Sequence, residues 1–188
     1  MEQTGIIVDG PGDYHSLRTR FRSNCKILKT DGPRGVTVSI DDMVSHASKQ
    51  ISMLMACSCG RIVVLLDFEM RADDYTEFMV RIAEKFAQTY SEYPVSVAIP
   101  NRMIENWYLA DIAYLSQCKA FIKNNLRQKI YEGLHGKEEL KKCFISKFSY
   151  SETKHGPQLF EILRFDVARQ NSHSFDDFLS KMNITNGN

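Results

Sequence analysis

Ile62-Val63-Val64-Leu65-Leu66-Asp67-Phe68-Glu69 carries the fold of this chain in miniature. Five apolar residues run without alternation, the pattern of a strand covered on both faces. Two acids, two residues apart, follow directly. The same order stands near the start, where Ile6-Ile7-Val8 leads into Asp9-Gly10-Pro11-Gly12-Asp13. In α/β folds, ligands lie beyond the carboxyl ends of such strands. Carboxylates gathered there repel one another unless a cation or a proton intervenes. Mg²⁺ takes a few carboxylate oxygens together with water and substrate phosphate, and so suits that place. The pattern points towards phosphodiester chemistry.

Working outward, a helix is expected over 14–21 after the turn that Gly10 and Gly12 allow. Cys25-Lys26-Ile27-Leu28-Lys29 reads as a second strand, ended by the turn signal Asp31-Gly32-Pro33-Arg34-Gly35. Ser39 is a candidate N-cap, with Asp41 and Asp42 in the first turn, where the helix dipole favours anions. Val44, Ala47, Ile51, Leu54 and Met55 then recur at helical spacing. Asp73-Asp74 opens a further helix whose apolar face holds Tyr75, Phe78, Ile82, Phe86 and Tyr90. Pro94 precedes a fourth strand over 95–99, and helix resumes over 104–113. This alternation predicts an α/β fold with a mainly parallel four-stranded sheet and helices on both faces.

The second half carries weaker signals. Residues 118–145 read as a basic helix and 146–156 as a polar loop. Gly156-Pro157 starts a helical stretch, and Ser174 is a candidate N-cap for a last short helix. The division expected is an α/β core over 1–113 and a helical extension over 114–188, packed as a single unit.

Bulk properties narrow the function classes. The chain has 188 residues, 43 % hydrophobic and 25 % charged, with a net charge of +1. Any nucleic-acid site must therefore come from local clustering of bases. No apolar stretch approaches the roughly 20 residues of a membrane span, and the N-terminus is no signal peptide. The five cysteines, at 25, 57, 59, 118 and 143, are odd in number and scattered, so reduced thiols and a cytoplasmic location are expected. Cys57 and Cys59 are either a metal or redox pair or simply the end of a helix.

An acid-Gly turn after the first strand and an Asp-x-acid after the third together resemble the Toprim fold of topoisomerases, bacterial primases and OLD-type nucleases. Asp9 stands at that pattern's Glu position and is one methylene shorter, ~1.5 Å of reach. Asp67-Phe68-Glu69 stands at its Asp-x-Asp position. The segments 8–13, 99–111 and 171–178 are similar to a narrower prokaryotic family of unknown function assigned to the Toprim superfamily. The block Ile104-Glu105-Asn106-Trp107-Tyr108-Leu109-Ala110-Asp111 is the most specific of them. The resemblance implies a metal-dependent nuclease holding Mg²⁺ or Mn²⁺, nucleic acid as substrate, and an ATPase partner in anti-phage defence. A homo-oligomer is compatible with it.

Each residue has a plainer alternative. Asp9, Asp67 and Glu69 are metal ligands or helix-capping acids; on an ideal strand Asp67 and Glu69 face the same way. Asp13 is a helix-start residue or a further acid beside the metal. Glu105 is a ligand or general base, or else the partner of Arg102 or another base in a salt bridge. Lys154 neutralises phosphate or is solvated, and His155 protonates a leaving group or is structural. Arg34 is a candidate phosphate ligand. Trp107 reads as core and Asp111 as structural. The lysines of 119–142 either track a nucleic-acid backbone or form a solvated face. The leading expectation is a nuclease with Asp9, Asp13, Asp67, Glu69, Glu105 and Lys154 at its site. The rivals are a non-catalytic binding subunit and a small-molecule phosphohydrolase.

Overall fold

The computed structural model describes residues 3–30 and 35–184. The turn at 31–34, and Arg34 with it, lies outside the described residues. Four strands, β1 (Thr4–Val8), β2 (Cys25–Lys29), β3 (Arg61–Leu65) and β4 (Val95–Ala98), form one parallel sheet in the order β2-β1-β3-β4. Val8 lies opposite both Lys29 and Leu65, and Leu65 opposite Ala98. The strands therefore end level, and Asp9, Thr30 and Leu66 leave the sheet along one edge.

The unalternating apolar runs find their reason in two cores. Ile6, Val8, Val63 and Leu65 face one core, and Ile7, Ile62 and Val64 the other. Each fully buried aliphatic side chain there contributes about 1.5–3 kcal/mol. The second core is closed by α2 (Ile40–Ala56) and α3 (Tyr75–Thr89). Their N-caps are Ser39, accepting from the Asp42 amide, and Asp74, accepting from the Glu77 amide. The first core is closed by α1 (Pro11–Phe21) and by residues of the second half. Trp107 is fully buried there, stacked 5.0 Å from Phe178, and its indole N–H donates to Ser174 Oγ at 3.0 Å.

The helices of the second half are α4 (Glu105–Leu109), α5 (Ile112–Cys118), α6 (Gly136–Cys143), α7 (Glu152–Ile162), α8 (Phe165–Asn171) and α9 (His173–Lys181). Here the structure corrects several expectations. The helix expected over 104–113 breaks at Asp111, whose carboxylate is taken by Arg164. Residues 118–145 are not one helix. Their buried residues Ile122 and Tyr131 lie nine apart, off any helical face. The segment is pinned instead by an Ile122–Phe144 bridge and by the Asn106 side-chain amide, which donates to Tyr131 O at 2.6 Å and Leu134 O at 3.1 Å. Helix α7 starts at Glu152, with Pro157 inside it, so Lys154 is helical rather than in a loop. The last helix is capped by Ser172, which accepts from the Phe175 amide, and Ser174 is buried inside its first turn. Helix α1 starts three residues early, because Pro11 fits the first helical position.

Candidate functional site

The level strand ends create an edge at which helices begin. Asp9 follows β1 and accepts a hydrogen bond from Thr30 Oγ1 at 3.1 Å. Asp13 lies in the first turn of α1 and is buried. Asp67 follows β3, and Glu105 opens α4 just beyond β4. Two close approaches bring further side chains to the same place. A Cβ on Gly12 would meet Glu152 Cβ at 2.9 Å, so a glycine is needed for the start of α7 to lie against the start of α1. A Cβ on Gly136 would meet Asn106 Oδ1 at 2.5 Å, so the start of α6 lies equally tight against α4. Lys137 and Glu152 thereby join the cluster, paired with each other at 2.9 Å.

The electrostatics reflect this crowding. Burial, then Glu105, Asp9 and Glu152, push the Asp13 carboxyl up to about 7, while Lys137 works against them. Burial, then Asp13 and Glu105, hold Asp67 well above the usual carboxylate range. Glu105 is raised by burial, opposed by Lys137 and by the Tyr150 hydroxyl. Burial opposes the charge on Lys137, but Glu105, Glu152 and Asp67 together outweigh it and raise the ammonium. Among the described residues the acids of the site thus outnumber the lysine beside them, and the raised carboxyls answer that excess by holding protons.

Glu105 is the most informative member. It is 1 % exposed. Its Oε1 accepts from Tyr150 Oη at 2.8 Å, whereas its Oε2 is buried with no hydrogen-bond partner among the described residues. A lone buried carboxylate oxygen costs about 1–3 kcal/mol or more, so its persistence calls for an explanation. The expected salt bridge to Arg102 is not formed. Arg102 instead donates to Gly133 O, Glu69 O and Arg71 O, and lies over the Phe68 ring at 5.0 Å.

Glu69 departs from the expected arrangement with Asp67. Strand β3 stops at Leu65, and Glu69 has φ +54°. Its amide donates to Arg102 O, itself in a residue of φ +99°. The same-face rule for residues two apart holds only along an extended strand, so Glu69 sits at the rim of the cluster and is the weakest of the named charges acting on Asp67.

Lys154 lies exposed on α7, two residues and so about 200° round the helix from Glu152. His155 is 4 % exposed, its Nδ1 accepts from the Ser151 amide at 2.9 Å, and its ring packs 4.8 Å from Phe121. Asp111 is held by Arg164 through both carboxylate oxygens, at 2.6 and 3.0 Å. The five cysteines are free thiols, and Lys26 Nζ donates to Cys57 Sγ at 2.7 Å. Beside the acids, a small pocket is lined by Asp9, Thr30, Gly35, Met43, His46, Leu66 and Asp67.

Sequence reasoning missed Lys137, Tyr150 and Glu152. The available signals were Gly136 before Lys137 and an acid at the start of a helix, both common features.

A divalent cation is implied by the Toprim resemblance, and these residues bear on whether they suit one. The donors are hard oxygens, as Mg²⁺ and Mn²⁺ prefer. The orphaned Glu105 Oε2 and the crowding of carboxyl groups around it both fit a cation. Among the described residues, however, no three His, Cys, Asp or Glu side chains already stand as a ligand set.

Comparison with known families places this chain. Residues 4–183 match the family described as Domain of unknown function (DUF4276), and the chain belongs to that family. No curated protein and no solved structure matches it. No helix among the described residues is long and apolar enough to cross a membrane.

Proposed function

We propose that this protein is a metal-dependent nuclease of Toprim type, hydrolysing phosphodiester bonds at the acidic edge of its sheet. The observation that carries the reading is Glu105 Oε2, buried and without a hydrogen-bond partner among the described residues, beside acids that repel one another. Asp9, Asp13, Asp67 and Glu105 would hold Mg²⁺ or Mn²⁺. When bound, the ion would polarise the phosphate and acidify water. The chain's own residues do the rest. Tyr150 fixes the rotamer of Glu105 through its hydroxyl. Lys137, paired with Glu152 beside Glu105, would supply positive charge to a phosphate oxygen, with Lys154 further round α7. Asn106 holds the 131–134 segment against α4 and so sets the position of Lys137. An ATPase partner, an anti-phage setting and a homo-oligomer follow from the resemblance and belong to the same proposal.

A second reading, a non-catalytic binding subunit, is favoured by one observation: the described acids do not converge as a three-ligand set. Cleavage of single-stranded and duplex DNA and of RNA, with and without Mn²⁺, separates the two. The nuclease reading expects Mn²⁺-dependent cleavage that Asp67→Ala abolishes while the circular dichroism spectrum is unchanged. Equal cleavage by Asp67→Ala and wild type would refute it.

A further inference from the structure

Residues 118–147 carry eight lysines and arginines against three glutamates, although the whole chain nets only +1. The fold sorts these charges. Glu138 pairs with Lys141, and Glu139 with Lys142 and Lys129, all around α6. Lys123, Arg127 and Lys147 are left exposed without an acid partner among the described ion pairs, as is Lys154 on α7. Lys123 is fixed by its amide to Cys143 O at 2.8 Å and by its ammonium to Lys142 O at 2.6 Å.

Each of these three lysines stands within two residues of one aromatic cluster, at Phe121, Phe148 and His155. Phe148 is 38 % exposed and edge-on to Phe121, with Lys147 Nζ 5.4 Å from its ring centre. Phe121 stacks on Phe144 at 5.1 Å, and both touch His155, the neighbour of Lys154. Phe144 packs on Tyr150, whose hydroxyl bonds Glu105. The rings therefore form an unbroken series of contacts from the exposed Phe148, through the buried Phe144, to the buried acid of the candidate site.

From this arrangement we infer that Lys123, Lys147, Lys154 and Phe148 form a track for single-stranded nucleic acid leading to the acidic edge. The ammonium groups neutralise successive phosphates, and the exposed ring stacks on an unpaired base. Ammonium charges beside a stacking ring are the combination that binds single strands without reading sequence. The inference rests on the nuclease reading for its direction, but binding itself needs no metal.

The test is fluorescence anisotropy with a labelled single-stranded oligonucleotide in EDTA, across a salt series. Wild type and Asp67→Ala are expected to bind alike, which separates this track from the acidic site. In the triple variant Lys123→Gln, Lys147→Gln, Lys154→Gln, the slope of log affinity against log salt should fall by about 2, at ~0.7 for each phosphate left without its lysine. Phe148→Ala should weaken binding about fivefold or more. Lys49→Gln, exposed on α2, is the control for removal of charge alone. A triple variant with wild-type slope and affinity, or a wild type that does not bind the oligonucleotide, overturns the track.

Discussion

Glu105 and Asp111 stand at the two ends of one short block, and each is 1 % exposed. Their surroundings differ in kind. Asp111 accepts from the Arg164 backbone amide and from two guanidinium nitrogens, so its charge is answered in full. Glu105 takes one side-chain hydrogen bond, from the Tyr150 hydroxyl, and its second oxygen has no hydrogen-bond partner among the described residues. Equal burial with unequal satisfaction separates a carboxylate that holds the fold from one that costs it. The first anchors the start of α8 to the break between α4 and α5. The second is tolerable when a ligand supplies what the protein withholds.

Substitutions at the two positions should therefore move stability in different ways. Asp111→Asn removes a charge that Arg164 depends on, and should lower unfolding free energy by about 2 kcal/mol. That value is discounted from buried-pair figures because the Arg164 side chain is 44 % exposed. Chemical denaturation reads it, and a drop no larger than that of Glu105→Gln would erase the distinction.

A smaller effect concerns pH. Burial first, and then Glu105, push Asp13 up to about 7 from an ordinary value of 3.8. The folded chain keeps a proton that the unfolded chain releases, so this stabilisation is present below about pH 4 and is lost as pH rises through about 7. In EDTA the melting temperature should fall by several degrees between pH 6 and pH 8, and Asp13→Asn should flatten that fall. A variant that falls as steeply as wild type would show that Asp13 is not the group responsible.

The smallest change is expected for Glu105→Gln in EDTA. Replacing an unsatisfied buried carboxylate by a neutral amide should leave stability within about 1 kcal/mol of wild type, or raise it. A drop of about 3 kcal/mol would mean that Glu105 is as structural as Asp111.

The same contrast runs through what is legible in the sequence. Strands β1 and β3 announce themselves because burial on both faces forces unalternating apolar runs, and Asp9 and Asp67 then fall just past their ends. The caps Ser39 and Asp74 are legible for the same local reason: one side chain answers one exposed amide. Glu69 escapes the two-residue rule because that rule assumes an extended chain, and the strand stops at Leu65. Lys137, Tyr150 and Glu152 are hidden because packing between distant segments brings them in, at Gly12, Gly136 and Asn106, and no local spacing encodes that. Lys154 reads as a loop residue because Gly156-Pro157 normally ends or begins a helix, whereas α7 runs through it. The basic stretch reads as one helix by charge alone, whereas the Ile122–Phe144 bridge and the Asn106 amide, contacts from outside any local spacing, hold it otherwise.

The central claim is that the acidic edge is a cation site completed by Glu105. Isothermal titration of Mg²⁺ and Mn²⁺ into wild type and Glu105→Gln tests it most directly. The account predicts binding to wild type at one site and at least a tenfold weakening in the variant, with both proteins equally folded. Equal binding by the two proteins, or none by wild type even with a phosphodiester present, would contradict it.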